Sequence, residues 1–303
     1  MNLQRGIFQG AFPPGLDLVS CFRLARQAGF EGVELTLESA APLLPEARDD
    51  TTASTAAIER SVGVASLRPG GLRLESTPAE IALIRRQAED EGLRIASVAQ
   101  MLLFYYPLSS PIPAVRAHAL RIVRAMLESA AQLGADLILI CPAMVTQEVP
   151  YQEAWARSQE ALSTLLPLAA ELGVAIGVEN VWNKFLLSPL EFCAYLDAFH
   201  SPLVGAYFDV ANVLRYGYPD QWIELLGPRL KQVHFKDYRL DVDDIRGFTQ
   251  LLQGDVPWPR VMQALKRVGY AGWAVVEVPP YRERPEQALF DAVQALAYLL
   301  TLL

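Results

Sequence analysis

The length, composition and charge of this 303-residue chain limit what it can be. Apolar residues make up 52% of the sequence, which is enough for a substantial core, and a single α/β barrel commonly has this length. The formal net charge of −8 and the lack of any basic block argue against nucleic acid as a partner.

A strand followed by a helix recurs along the chain and predicts a barrel. The predicted strands are residues 5–9, 32–37, 94–99, 136–141, 174–179, 204–209, 230–234 and 273–277. Helices separate them, and glycines such as Gly29 and Gly173 end the helices before the next strand. No glycine-rich phosphate loop follows the first strand, which disfavours an open doubly wound sheet. We predict an α/β fold, a (β/α)8 TIM barrel in a single domain over residues 1–303.

Two connections depart from this alternation of strands and helices. Residues 39–78 follow the second predicted strand and hold clusters of Pro, Gly, Ser and Thr with little periodicity. They form either a flap over the site or an ordinary irregular insertion, and both interpretations stay open. Residues 102–113 carry Phe104, Tyr105 and Tyr106, which would either wall a substrate pocket or pack against neighbouring loops.

The ends of the chain and its cysteines favour a cytoplasmic protein. Residues 1–10 lack a charged region followed by an apolar stretch, so no signal peptide is expected. Residues 288–303 are apolar but short and include Asp291, which indicates a last helix packed on the barrel and not a membrane span. The three cysteines show no paired spacing, which fits a reducing compartment.

Four polar residues lie at the ends of the last four predicted strands: Glu179, Asp209, His234 and Glu277. In a strand–helix barrel these ends converge on the face where active sites are built. One carboxylate alone would more simply cap a helix or pair with an arginine, but four polar residues in succession are hard to explain in that way. Buried carboxylates repel one another unless a cation or a proton neutralises them. We therefore predict an oxygen-rich site for a divalent metal.

Five short segments near the strand ends carry a resemblance to a known family. They are VENVWNKFLLSP at 178–189, YFDVAN at 207–212, VHFKD at 233–237, GDVPW at 254–258 and PLSS at 107–110. Together they resemble the sugar phosphate isomerase/epimerase family, which has a xylose-isomerase-like TIM barrel, and within it the ketose 3-epimerases.

The resemblance implies a site, a reaction and a cofactor. In the ketose 3-epimerase branch, the residues that match Glu179, Asp209, His234 and Glu277 bind the metal, and those that match Glu179 and Glu277 also form the acid/base pair. We expect a metal-dependent sugar or sugar-phosphate epimerase or isomerase of carbohydrate metabolism, which abstracts a proton next to a ketose carbonyl through a metal-stabilised enediolate. The family usually uses Mn²⁺, with Mg²⁺, Co²⁺ and Zn²⁺ as alternatives. A homodimer or homotetramer is also implied.

Four further residues are predicted to contact the substrate: Asn183, Lys184, Asn212 and Lys236. Both lysines lie just past a predicted ligand, in a chain that has only four lysines. For both lysines, a salt bridge with Asp237 or another acid at a strand end is the alternative. Asn212 stands where the branch has a histidine that touches the sugar, and an amide can hydrogen-bond a sugar oxygen but cannot transfer a proton at neutral pH.

Other functions fit parts of the same pattern. A metal-dependent inosose or polyol dehydratase would abstract the same proton and then expel hydroxide. A non-catalytic sugar-binding relative would keep the barrel, although the presence of all four ligands argues against it. An apurinic-site endonuclease shares the barrel but uses a histidine-rich cluster of several zinc ions, whereas this chain has three histidines.

Overall fold

The eight predicted strands form one closed parallel barrel. The structure, a computed structural model, describes residues 3–41 and 67–303. Neighbouring strands in the sequence pair with each other, and the last strand pairs with the first, so the sheet closes on itself. The prediction of a (β/α)8 TIM barrel is therefore confirmed. The strands are β1 (Gln4–Phe8), β2 (Gly32–Leu37), β3 (Arg94–Gln100), β4 (Leu137–Ile140), β5 (Ala175–Glu179), β6 (Val204–Asp209), β7 (Leu230–Phe235) and β8 (Trp273–Val276).

Helices follow the strands and have well-defined ends. Asp17 and Ser188 each accept a hydrogen bond from a backbone N–H of the first turn, and Thr77 and Glu80 form a capping box. No helix among the described residues is long and apolar enough to cross a bilayer. The α-helices of the described residues are α1 (Leu18–Ala28), α2 (Pro78–Asp90), α3 (Pro113–Leu133), α4 (Tyr151–Leu172), α5 (Pro189–Asp197), α6 (Pro219–Leu226), α7 (Trp258–Arg267) and α8 (Gln287–Leu300).

Strand β4 shows how the two sides of the barrel are filled. Ile138 and Ile140 belong to the large core between the sheet and the helices. Leu137 and Leu139 belong to a smaller cluster, together with Tyr207 of β6. Because successive side chains of a strand point to opposite faces, the smaller cluster fills the interior of the barrel.

A short antiparallel pair of strands follows β7 in the chain. Asp237–Tyr238 pairs with Phe248–Thr249, and the fully buried Asp237 carboxylate holds the chain that follows. This carboxylate accepts hydrogen bonds from the Leu252 N–H and the Trp258 indole, both at 2.9 Å. A Cβ atom at Gly254 would lie 2.2 Å from Asp237 Oδ1, so the chain can approach this closely only with glycine there.

The segment predicted as an irregular insertion or flap, residues 39–78, is described only at its ends. Its central part, residues 42–66, lies outside the described residues, so the flap stays a prediction. Glu38, next to β2, forms a parallel bridge with Arg73. The Glu38 carboxylate accepts hydrogen bonds from Gln9 Nε2 and from the Arg68 N–H, each at 3.0 Å. The two ends of the segment therefore meet at the C-terminal end of β2.

We predict that Asp237→Asn lowers the free energy of unfolding by about 1–3 kcal/mol, because an amide nitrogen would face N–H donors. The exposed Asp255 of the same loop is a matched control, since its carboxylate accepts one hydrogen bond, from the Leu240 N–H at 2.7 Å. Asp255→Asn should cost less than about 0.5 kcal/mol. Urea unfolding followed by circular dichroism measures both variants, and equal losses would contradict the role given to Asp237.

Candidate metal centre and active site

The four predicted metal ligands lie together at the C-terminal end of the barrel. One donor atom from each of them lies within 4.8 Å of the others, and all four residues are buried. Strand register explains why these side chains lie close together. Asp209 and His234 are partners in the β6–β7 ladder, and Glu179 is the last residue of β5. Glu277 directly follows β8, where its N–H donates to the carbonyl of Phe235.

Asp209 carries an observation that fits a bound cation. Its Oδ1 accepts hydrogen bonds from the N–H groups of Ala211 and Asn212, both at 2.8 Å. Its Oδ2 is buried and has no hydrogen-bond partner among the residues that the structure describes. This oxygen lies 4.0 Å from His234 Nδ1 and 3.7 Å from Lys236 Nζ. A buried carboxylate oxygen without a partner is costly, and three carboxylates with one imidazole suit a divalent cation.

His234 is oriented by a carboxylate that the sequence did not identify. Its Nδ1 lies 3.1 Å from Glu277 Oε2 and 3.3 Å from Glu179 Oε1, so this nitrogen faces the cluster. Its Nε2 lies 2.7 Å from Oε1 of Glu34, a residue of β2. The sequence does offer one indication of a role for Glu34, since it is a charged residue within the apolar run GVELTL. In the structure every position of this run is buried.

A second missed residue, Asn180, fixes the backbone of Asp209. The Asn180 side chain accepts a hydrogen bond from the Asp209 N–H and donates one to the Asp209 carbonyl, both at 2.9 Å. The Asn212 amide in turn donates to the carbonyl of Asn180 at 2.9 Å. These contacts join the ends of β5 and β6, and only the position of Asn180 directly after Glu179 hinted at them.

The two glutamates of the predicted acid/base pair differ in proton affinity in the metal-free site. Burial raises the pKa of Glu179 to about 7, although His234 opposes this shift. Burial acts in the same direction on Glu277, but the positive charges of Lys236 and His234 outweigh it and lower the pKa of Glu277 to about 2. Burial lowers the pKa of His234, yet the surrounding carboxylates outweigh it and raise that pKa well above its usual value.

A cavity opens onto this cluster. The predicted substrate residues Asn212 and Lys236 line it together with the two glutamates. The Trp182 ring stacks on Phe248 with centroids 5.0 Å apart, which forms an aromatic wall suited to the apolar face of a sugar. The apolar lining consists of Met101, Phe104, Val181, Trp182, Ile245 and Phe248. Phe104 thus walls the cavity, one of the two roles considered for it.

The four predicted substrate residues lie in two different places. Lys236 Nζ lies 2.9 Å from Glu277 Oε1, so the lysine pairs with ligands of the cluster. Asn183, by contrast, is buried within its own loop, where Nδ2 donates to the carbonyl of Ala143 at 2.8 Å. Lys184 is exposed and has a positive φ of 58°. Asn183 and Lys184 do not line the cavity, and their substrate roles stay predictions.

Known proteins resemble this chain along nearly its whole length. A family model described as Xylose isomerase-like TIM barrel matches residues 22–299. L-ribulose-5-phosphate 3-epimerase UlaE of Salmonella typhi is 26% identical over 275 residues, which cover 90% of this chain and 86% of that protein. The predicted resemblance is therefore confirmed, and this relative is a sugar-phosphate epimerase, in agreement with the expectation of an enzyme.

Solved structures of similar fold include several sugar epimerases. D-psicose 3-epimerase with D-tagatose, from Clostridium cellulolyticum H10, has a TM-score of 0.72 at 17% identity, and the match covers 98% of this chain and 99% of that one. The 3-keto-D-glucoside 4-epimerase YcjR from E. coli has a TM-score of 0.70 at 17% identity, with 99% of this chain and 100% of that one covered. At such low identity, the likeness establishes the shared barrel.

We predict that Mn²⁺ affinity falls as the pH is lowered through about 7. A raised pKa means that Glu179 holds a proton below that pH, and His234 with its raised pKa holds one as well. The metal must displace these protons, so affinity should drop roughly tenfold per pH unit for each proton displaced. Calorimetric titration of the metal-stripped protein with Mn²⁺ between about pH 8 and about pH 6 measures this dependence.

Asp209→Asn provides the control for this titration. The asparagine can still accept the two backbone hydrogen bonds but offers the cation no charged oxygen. The variant should therefore fold and bind Mn²⁺ at least about 100-fold more weakly at every pH. A wild-type affinity that does not change with pH would contradict the proton competition.

Proposed function

Because this chain belongs to the xylose isomerase-like TIM barrel family, we propose that it is a divalent-metal-dependent epimerase or isomerase of a ketose or ketose phosphate. One observation carries the proposal: Glu179 and Glu277 line the same cavity and lie in one buried cluster with Asp209 and His234. The epimerase relatives found by sequence support the same reaction class.

The two glutamates supply the proton chemistry. Inversion of a carbon next to a carbonyl needs one group to remove its proton and a second to return a proton from the opposite face. Lys236 Nζ lies 2.9 Å from Glu277 Oε1, whereas the neutral thiol of Cys141 lies 3.8 Å from Glu179 Oε2. This difference in partners places the two glutamates in different electrostatic environments.

Glu179, Asp209, His234 and Glu277 would hold the metal. A divalent cation, when bound, supplies Lewis-acid polarisation of the substrate carbonyl and offsets the negative charge that develops beside it. We propose Mn²⁺, with Mg²⁺, Co²⁺ and Zn²⁺ as alternatives, because carboxylates with one imidazole suit these ions.

Asn212 and Lys236 are the residues we propose to contact the sugar, since both line the cavity beside the cluster. Asn183 and Lys184 do not line this cavity, so their contacts with the substrate stay predictions. The homodimer or homotetramer and the cytoplasmic location stay predictions.

The reaction is tested by incubating the Mn²⁺-loaded protein with ketoses and ketose phosphates in deuterated water. We expect one substrate to gain deuterium at C3 and to yield an epimer whose mass changes only by that exchange, as detected by NMR and mass spectrometry. Deuterium at C1 would indicate aldose–ketose isomerisation, and a dehydrated product would indicate the dehydratase. No exchange in any ketose by the loaded protein would contradict the proposal.

Variants of the two glutamates test whether each one transfers a proton in the reaction. Glu179→Gln and Glu277→Gln should each lower the exchange rate by about 100- to 10,000-fold, because each removes one acid/base group. Glu283 is exposed and lies close to Glu277 in the sequence, so Glu283→Gln is a matched control that should exchange at the wild-type rate. Wild-type exchange in either of the first two variants would exclude that glutamate from the reaction.

A further inference from the structure

A buried polar network lies inside the barrel next to the metal ligands. It consists of Glu34 of β2, Ser97 of β3, Tyr207 of β6 and Gln232 of β7, all at most 1% exposed. Ser97 Oγ donates to Glu34 Oε2 at 2.5 Å, and the Tyr207 hydroxyl donates to the same oxygen. Gln232 Nε2 donates to Ser97 Oγ at 2.7 Å and to the Tyr207 hydroxyl at 2.6 Å.

The directions of these hydrogen bonds follow from the donors available. The amide of Gln232 has two hydrogens and gives one to each hydroxyl. Each hydroxyl accepts that hydrogen bond and uses its own single hydrogen for Glu34 Oε2. Glu34 Oε1 then remains to accept from His234 Nε2, 2.7 Å away. When the ring is neutral, a proton on Nε2 leaves the lone pair of Nδ1 directed toward Glu179, Asp209 and Glu277.

We propose that Glu34 is a positioning residue for the metal: it holds His234 in the tautomer that presents Nδ1 to the cation. The inference rests on the proposed function in so far as the cluster binds a divalent metal. A carboxylate behind a histidine ligand fixes the ring and makes the ligating nitrogen a stronger donor. Glu34 thereby acts on the cation through His234 and not by contact with it.

A purely structural role for the network explains the carboxylate poorly. The neighbouring interior of the barrel is filled by apolar side chains such as Phe8, Leu139 and Val275. Burial of a carboxylate is costly unless it is paired, and among the described residues His234 is the ion-pair partner that Glu34 has. A neutral side chain at this position would avoid that cost, so the charge is explained by what it does to His234.

The test compares Mn²⁺ binding by metal-stripped wild type, Glu34→Gln and Glu38→Gln, measured by calorimetry. Glu38 is a matched control, because it is also a buried carboxylate next to β2 but contacts Gln9 and Arg68 and not the cluster. We expect Glu34→Gln to weaken Mn²⁺ binding about 10- to 100-fold. We expect Glu38→Gln to stay within about twofold of wild type, since it leaves the environment of His234 unchanged. Wild-type affinity in Glu34→Gln, or an equal loss in Glu38→Gln, would overturn the proposal.

The tautomer itself is read by nitrogen-15 NMR of the Mg²⁺-loaded protein, in which only three histidines contribute signals. The signals of His234 are assigned by comparison with a variant in which this histidine is replaced. In wild type the neutral ring of His234 should carry its proton on Nε2. In Glu34→Gln the ring should no longer populate a single tautomer. A proton on Nδ1 of the loaded wild type would overturn the proposal.

Tyr207→Phe covers the case in which Glu34→Gln does not fold. It keeps the carboxylate and removes one of its three hydrogen bonds, so Mn²⁺ binding should weaken by about threefold to tenfold. An unchanged affinity in this variant would count against the network. If wild type exchanges no ketose proton while Mn²⁺ affinity still depends on Glu34, only the proposed function fails. If wild type epimerises a ketose and Glu34→Gln binds Mn²⁺ normally, only the positioning role fails.

Discussion

Mutual repulsion among three buried carboxylates is the constraint on which the rest of the site depends. Glu179, Asp209 and Glu277 offer donor atoms that lie within 4.8 Å of one another and of His234. Ionised carboxylates this close and this deeply buried need compensating positive charge. Lys236 and His234 supply part of it, since each lies within 3.1 Å of Glu277. Within the described part of the chain, Asp209 Oδ2 still lacks a hydrogen-bond partner, so the compensation there is incomplete without a cation.

The barrel makes this costly arrangement rigid. Closure of eight parallel strands brings the ends of β5 to β8 to one face of the barrel. There the hydrogen bonds between neighbouring strands fix the backbone position of each residue. Asn180 then holds both backbone groups of Asp209. Groups held in this way do not reorganise when charge develops on a substrate, which is the condition for electrostatic catalysis.

The sequence predicted those parts of the site that follow from strand order alone. Each ligand ends or directly follows an apolar run, and parallel closure brings such ends together, so the quartet could be found without a structure. Glu34 could not be found in this way, because its contact with His234 spans the interior of the barrel between strands that are not neighbours. Nor could the partner of Lys236 be chosen between Asp237 and other acids, because that depends on which way each side chain points. Asn183 and Lys184 lie in a loop whose backbone has positive φ angles at Lys184 and Leu186. No local sequence pattern predicts this backbone path, so the directions of the two side chains could not be predicted.

We propose that the four side chains of the quartet hold one divalent cation. Anomalous diffraction from a crystal grown with Mn²⁺, recorded at the manganese edge, tests it directly. We predict a single strong peak enclosed by Glu179, Asp209, His234 and Glu277, with ligand distances of about 2.0–2.4 Å. The absence of a peak there, or a peak only at another group of side chains, would contradict it.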